Sequence, residues 1–236
     1  MKERFFILII IDKIMVNHIV KILKIEQLNY NVKKFVVERP INYEFFPGQA
    51  TDISINKGKW KEIKKPFTFT SLNENPHLEF TIKIYKDRKG FTNELDKLKP
   101  GDELIIRDIW GAIRYKGPGT FIAGGAGITP FLAILRQLKK ENKISGNTLI
   151  FSNKTEKDII LKNELESMLK GQCIFVLTQE KHPLYENTRI NEEYLRKNIH
   201  SINQNFYVCG PKQMVKEINE TLKKLGAHPD SLVFES

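Results

Sequence analysis

The sequence predicts a two-domain protein, a β domain followed by an α/β domain, and three observations lead there. From Ile19 to about Tyr115 apolar residues come in short runs of period 2; beyond Thr120 compact apolar runs alternate with helical faces; between them lies Lys116-Gly117-Pro118-Gly119. At 236 residues and 41% hydrophobic content, the chain can build two cores of roughly 100 residues each. The expected division is an extension over 1–14, a β domain over 15–115, a linker over 116–119 and an α/β domain over 120–236.

In the first half the alternating sets are Ile19-Lys21-Leu23-Ile25, Phe35-Val37, Ile53-Ile55, Phe80-Ile82-Ile84 and Leu104-Ile106. Turn signals separate them at Arg39-Pro40, Pro47-Gly48, Asn56-Lys57-Gly58, Asn73-Glu74-Asn75-Pro76, Lys89-Gly90 and Pro100-Gly101-Asp102. Short strands so spaced predict a small antiparallel barrel or sandwich. In the second half the runs Thr120–Ala123, Thr148–Phe151, Ile174–Leu177, Phe206–Cys209 and Leu232–Phe234 read as five strands buried on both faces of a parallel sheet. The helical faces between them are Phe131, Ile134, Leu135, Leu138; Leu161, Leu165, Met168, Leu169; and Val215, Ile218, Leu222, Leu225. Thr129-Pro130 reads as an N-cap and N1 proline, and Gly171 and Gly226 sit where helices end.

Composition narrows the chemistry. Two cysteines, Cys173 and Cys209, exclude a four-cysteine cluster or zinc site and a disulfide framework, and fit a reduced, cytoplasmic setting. The five histidines show no ligand spacing and no serine stands in GxSxG. Phe5 to Ile11 is apolar but far short of the about 20 residues that span a bilayer. Asp12-Lys13-Ile14-Met15 offers no small-residue cleavage site, so Met15 is read as the true start. The formal charge of +10 points to an acidic partner, nucleic acid or electron carrier. Nucleic acid is disfavoured because lysines read as spread along the chain with no recognition motif.

The sharpest local feature is Phe121-Ile122-Ala123-Gly124-Gly125-Ala126-Gly127-Ile128-Thr129-Pro130, a strand running through three glycines into a helix start. Such a loop is an anion site by geometry or merely a tight turn, and it departs from GxGxxG at Pro130. The end of the next strand reads Ser152-Asn153-Lys154, a hydroxyl, an amide and a cation where a carboxylate would hold an unphosphorylated ribose, so a 2′-phosphate is favoured. Tyr207-Val208-Cys209-Gly210-Pro211 ends another strand and is expected to bring Cys209 to the same cleft. In the β domain, Lys65-Pro66-Phe67-Thr68-Phe69-Thr70-Ser71 places a cation, aromatics and hydroxyls along one strand, as a flavin site requires and an ordinary strand also permits.

Together these segments resemble the ferredoxin–NADP reductase superfamily, in particular its compact bacterial flavodoxin and ferredoxin reductases, over about residues 16–236. The family's Arg-x-Tyr-Ser/Thr strand aligns with Lys65-Pro66-Phe67-Thr68, its basic strand end with Ile82-Lys83-Ile84, and its phosphate turn with Lys89-Gly90-Phe91-Thr92. GGxGITP and CGP are present in full at Gly124–Pro130 and Cys209–Pro211, and Pro47-Gly48-Gln49 and Phe234-Glu235 also fit. Lysine replaces the family's arginine at 65 and phenylalanine its tyrosine at 67, and no aromatic residue follows Ser236.

The resemblance implies a six-stranded antiparallel Greek-key β-barrel holding FAD and a Rossmann-like five-stranded parallel domain holding NADPH (or NADH). FAD would stack on Phe67, with Thr68 near N5, Lys65, Lys83, Gly90 and Thr92 around the phosphates, and Pro66, Ile84 and Phe91 in the same motifs. The nucleotide would meet Gly125, Ala126, Gly127, Ile128, Thr129, Pro130, Ser152, Asn153, Lys154, Gly210, Pro211 and Met214. Thr68, Cys209 and Glu235 are the catalytic candidates at the junction of nicotinamide and flavin. The implied activity passes a hydride from NADPH to FAD, then single electrons to a flavodoxin or ferredoxin, a small acidic carrier. The alternative is the NADH-dependent reductase of an oxygenase, of ferric chelates or of cytochromes. A cytoplasmic monomer without nucleic acid or membrane is expected.

Overall fold

The computed structural model describes residues 16–228 and 232–234; the expected extension over 1–14 and the catalytic candidate Glu235 lie outside them. The β half contains β1 (His18–Asn29), β2 (Val32–Val37), β3 (Ala50–Ile55), β4 (Lys65–Thr68), β5 (Leu78–Lys83) and β6 (Glu103–Trp110), with a short helix α1 (Phe91–Leu95) before β6. They form one six-stranded antiparallel sheet in the order β4-β3-β6-β1-β2-β5. The sheet curls so that its edges meet: the Thr70 N–H donates to the Glu79 carbonyl at 2.8 Å, joining the end of β4 to β5. Phe35, Phe69, Phe80, Ile53, Leu78 and Ile106 fill the interior, placed there by the alternation read in β2, β3, β5 and β6.

The inward face of β1 differs from the expected one. Val20 and Ile22 are buried, while Ile19 and Leu23 are exposed. Apolar residues occupy both parities of this strand, so alternation alone cannot choose the face; pairing Val20 with Leu104 and Ile22 with Val37 does.

The second half contains β7 (Gly119–Gly124), α2 (Thr129–Lys140), β8 (Thr148–Asn153), α3 (Lys162–Leu169), β9 (Cys173–Leu177), β10 (Glu186–Asn187), α4 (Glu192–Asn198), β11 (Asn205–Cys209), α5 (Lys212–Lys224) and β12 (Leu232–Phe234). Its sheet has six parallel strands in the order β10-β9-β8-β7-β11-β12, not five. The added β10 is two exposed polar residues at the edge, with no apolar run to betray it. Phe121, Phe131, Phe151 and Tyr207 pack on one side of this sheet and Ile122, Ile150, Phe206 and Ile218 on the other.

Two helix boundaries also differ from expectation. Thr129 is the first residue of α2, Ile128 takes the cap position, and the Thr129 hydroxyl donates to the Ala126 carbonyl at 3.1 Å. A 3₁₀ turn over Gly125–Ile128 comes between strand and helix and displaces the cap. Leu161 is not within α3: it precedes it at φ 52°. Gly226 does close α5, with positive φ and the Ala227 N–H donating to the Leu222 carbonyl at 2.9 Å.

The halves are joined by charge on β5. Leu78, Phe80 and Ile82 face the barrel interior, which leaves Glu79, Thr81 and Lys83 on the outer face. Arg136 of α2 donates to Glu79 Oε1 at 2.6 Å and to the Thr70 carbonyl at 2.5 Å, while also gripping Glu164 of α3 at 2.6 and 3.0 Å. Burial pulls the Arg136 pKa down, but Glu164 and Glu79 outweigh it and raise the pKa above its usual value. At the other end of β5, Lys83 Nζ stands 3.1 Å from Asp158 Oδ1.

Candidate functional site

The strand order reverses at β7: the chain proceeds outward through β8 and β9, then returns to place β11 and β12 on the other side. Ligands of open α/β sheets bind at the carboxyl ends of strands at such a point. A cleft of about 670 Å³ opens there, with one wall from the strand ends and the other from Tyr30, Asn31 and residues 83–87 of the β half.

Glycine places the floor of this cleft. A Cβ on Gly127 would overlap the Cys209 carbonyl, and one on Gly210 would lie 3.2 Å from the Cα and N of Gly124. The GGAGITP and CGP loops therefore touch backbone to backbone, which only glycine permits. Gly125 has φ +53° and open space where a side chain would be, so it is the glycine whose bare backbone faces the cleft. A Cβ on Gly124 would overlap Met214 Sδ.

Of the residues expected at the nucleotide, Gly125, Ala126, Ser152, Asn153, Lys154, Pro211 and Met214 line the cleft, and Lys83 and Ile84 join them from the barrel. Gly127, Ile128, Thr129, Pro130 and Gly210 form the supporting layer behind them, with Ile128 and Pro130 buried. Cys209 does not line the cleft: its half-buried side chain packs against the core layer containing Phe121 and Phe131. Its partner thiol Cys173 is pushed up to about 12 by burial.

Asn153 is the most telling of these side chains. It is 4% exposed, yet neither its amide nitrogen nor its amide oxygen has a hydrogen-bond partner. Its backbone is fully engaged, the carbonyl accepting from the N–H and hydroxyl of Thr178 at 2.9 and 3.2 Å. Buried amides left unpaired cost on the order of 1–3 kcal/mol, so a side chain held this way at the cleft fits a polar ligand.

Lys83 is committed elsewhere than the resemblance implies. It meets Asp158, which also accepts from the Tyr30 hydroxyl at 2.6 Å and the Thr155 hydroxyl at 2.7 Å. Burial alone pushes the Asp158 carboxyl up, but the bonds from Tyr30, Thr155 and Lys83 outweigh it and hold it at about 2. That same bond, with burial, lifts the Tyr30 phenol to about 12. Tyr30 and Asp158 were not legible as site residues, because neither stands in a motif. Arg189 and Thr178, also in the cleft wall, gave no sequence signal either.

The expected flavin residues form a second group on the barrel. β4 pairs with β3 and is otherwise an edge strand of the sheet, with Lys65 and Pro66 exposed and Phe67 and Thr68 half-buried. The Phe67 ring stacks on Phe91 at 6.0 Å and 27°, and Trp60 meets Phe91 edge-on at 6.1 Å. Gly90 caps α1 in extended conformation, and the Thr92 hydroxyl accepts from the Tyr85 N–H at 3.3 Å. A flat aromatic face, a hydroxyl at 68 and a turn at 90–92 on one side of the barrel suit an isoalloxazine ring and its phosphates. Among the described residues no helix is long and apolar enough to cross a membrane.

Residues 19–115 match the oxidoreductase FAD-binding domain and residues 121–220 the oxidoreductase NAD-binding domain. NADH–cytochrome b5 reductase 1 of Arabidopsis thaliana is 28% identical over 228 residues, 89% of this chain and 80% of the relative. The reductase component of propane 2-monooxygenase from Rhodococcus jostii is 26% identical over 83% of this chain, which spans 56% of that protein. A ferredoxin NADP+ reductase from Neisseria gonorrhoeae, solved with FAD and NADP, superimposes with a TM-score of 0.81 at 23% identity, over 93% of this chain and 98% of that one. With an FAD-binding half and an NAD-binding half meeting at this cleft, the chain belongs to the ferredoxin–NADP reductase superfamily and is a flavin- and pyridine-nucleotide-dependent oxidoreductase.

Proposed function

We propose that this chain takes a hydride from NADPH through FAD and delivers single electrons to a separate small acidic carrier, a flavodoxin or ferredoxin, as a cytoplasmic monomer. What supports the reading most is one cleft walled by β8 and β11 of the NAD-binding half and β5 of the FAD-binding half. FAD, when bound, supplies the change from two-electron to one-electron chemistry. Phe67 offers its ring face to the flavin, Thr68 a hydroxyl beside it, and Lys65 with the Gly90–Thr92 turn a seat for phosphate. Gly125 admits the dinucleotide backbone, and the Asn153 amide bonds its sugar or base. Because the nearby carboxylate of Asp158 is occupied by Lys83, Tyr30 and Thr155, Lys154 and Arg189 leave the cleft wall favourable to a 2′-phosphate. Fixing donor and acceptor in one geometry provides most of the acceleration.

A second reading has specific support in the relatives: a reductase of a cytochrome b5-like protein or of an oxygenase, supplied by NADH. An anaerobic absorbance spectrum before and after one equivalent of NADPH or NADH tests the shared step. A flavin spectrum bleached by either nucleotide upholds it, and the ratio of rates chooses the donor. A protein that stays colourless after FAD reconstitution refutes both readings. Turnover with flavodoxin, ferredoxin, cytochrome b5 and ferric chelates then separates the acceptors.

A further inference from the structure

The chain's positive charge is not spread evenly, as its lysines read in order had implied. Residues 57–65 and 86–89 contain Lys57, Lys59, Lys61, Lys64, Lys65, Lys86, Arg88 and Lys89 against only Glu62 and Asp87, a net +6 of the formal +10. All ten side chains are exposed. The two segments are held side by side by Trp60 against Phe91, the residue that follows the second segment and Gly90, and Phe91 in turn stacks on Phe67 of the expected flavin strand. Lys59 Nζ sits 5.3 Å from the Trp60 ring centroid and Arg88 5.0 Å from that of Tyr85, so aromatic faces fix cations at the surface.

We infer that this two-loop patch is the docking surface for the electron acceptor, and that the acceptor is an acidic protein presenting carboxylates around its redox centre. The inference rests on the proposed function and adds the place and chemistry of the partner. Three observations carry it. The charge is concentrated enough to steer an anionic partner over distances beyond contact. The patch adjoins the edge strand β4, the side of the barrel from which the flavin group is reached, while the nucleotide cleft is walled by other residues of the NAD-binding half. Trp60 is half-buried and packs on Phe91, so it stiffens the patch rather than offering the open ring on which a nucleic-acid base stacks.

The test uses FAD-loaded full-length protein, a purified acidic flavodoxin as probe, a basic cytochrome c as control and a neutral quinone as small acceptor. The variant K57E/K59E/K61E reverses three charges outside the flavin and nucleotide residues. Flavodoxin reduction at low ionic strength is expected to fall by roughly tenfold or more, and the gap to close near 0.5 M salt, where screening lengths are only a few ångströms. Flavodoxin binding, read by fluorescence anisotropy, is expected to weaken in parallel. NADPH-driven quinone reduction stays unchanged, and cytochrome c reduction is unchanged or faster. Equal flavodoxin rates and affinities in both proteins, with quinone reduction intact, overturn the docking surface alone. A flavin that no nucleotide reduces overturns the proposed function instead. Loss of binding to a DNA duplex in the variant, with flavodoxin unaffected, reassigns the patch to nucleic acid and overturns the inference.

Discussion

Replacing Asp158 by asparagine is expected to cost about 2–4 kcal/mol of stability, and the structure indicates why. The carboxyl is 3% exposed and answers the Lys83 ammonium, the Tyr30 hydroxyl and the Thr155 cap. Asparagine keeps the shape but leaves Lys83, whose side chain is 14% exposed, without its counter-charge, and breaking a buried pair on one side typically costs about 3–5 kcal/mol, less where water can reach. The native carboxyl titrates at about 2 against an ordinary 3.8, which independently corresponds to about 2 kcal/mol at neutral pH. Because the folded pKa is the depressed one, that contribution is complete above about pH 5 and is lost as pH falls toward 2. Urea unfolding of wild type and D158N from pH 7 to pH 2.5 reads both numbers, with the gap shrinking over the acid range. The double variant K83M/D158L separates charge from shape: it should be less destabilised than D158N, since no ion remains buried alone. A D158N protein within 0.5 kcal/mol of wild type at pH 7, or a gap that does not change down to pH 2.5, would falsify the account of this clamp.

Three further outcomes follow from the same coordinates. G127A should lose roughly 2 kcal/mol or more in thermal unfolding, because the new Cβ overlaps the Cys209 carbonyl; a G125A control, with open space but φ +53°, should lose about 1 kcal/mol, and equal losses would remove the backbone contact from the explanation. N153L is expected to hold or gain stability by deleting an unpaired buried amide while raising KM for the nucleotide about tenfold, corresponding to about 1.4 kcal/mol; an unchanged KM would show that Asn153 meets no ligand. K154E/R189E should lower kcat/KM for NADPH by tenfold or more and leave NADH within about threefold, and parallel losses for both nucleotides would refute the 2′-phosphate reading.

Both sheets were legible because their strands obey different patterns: alternation in β2, β3, β5 and β6, and unbroken apolar runs in β7, β8 and β11. The pattern failed where it carried no information. β1 is apolar on both parities, β10 is two polar residues, and the cap at Thr129 was displaced by a 3₁₀ turn that glycines allow but do not announce. At the site, GGAGITP and CGP located the floor of the cleft, yet why their glycines are needed emerges only when the loops meet in space. The partners of Asp158 and Arg136 come from the other half of the chain, and no local spacing encodes a contact between Tyr30 and Asp158. The lysine-rich segment at 57–65 was in plain view, but its weight depended on Trp60 and Phe91 bringing 86–89 alongside.

β5 belongs to two domains at once. Its inward side chains complete the barrel, and its outward ones carry an acid at 79 and a base at 83 that match an arginine and an aspartate of the neighbour. A barrel borrowed from a relative with other residues at these two positions would meet like charge or none, so the halves of this chain are restrained from being shuffled independently. Two modules that recur across many proteins are here inherited as a single unit, with the pairing code written on one face of one strand.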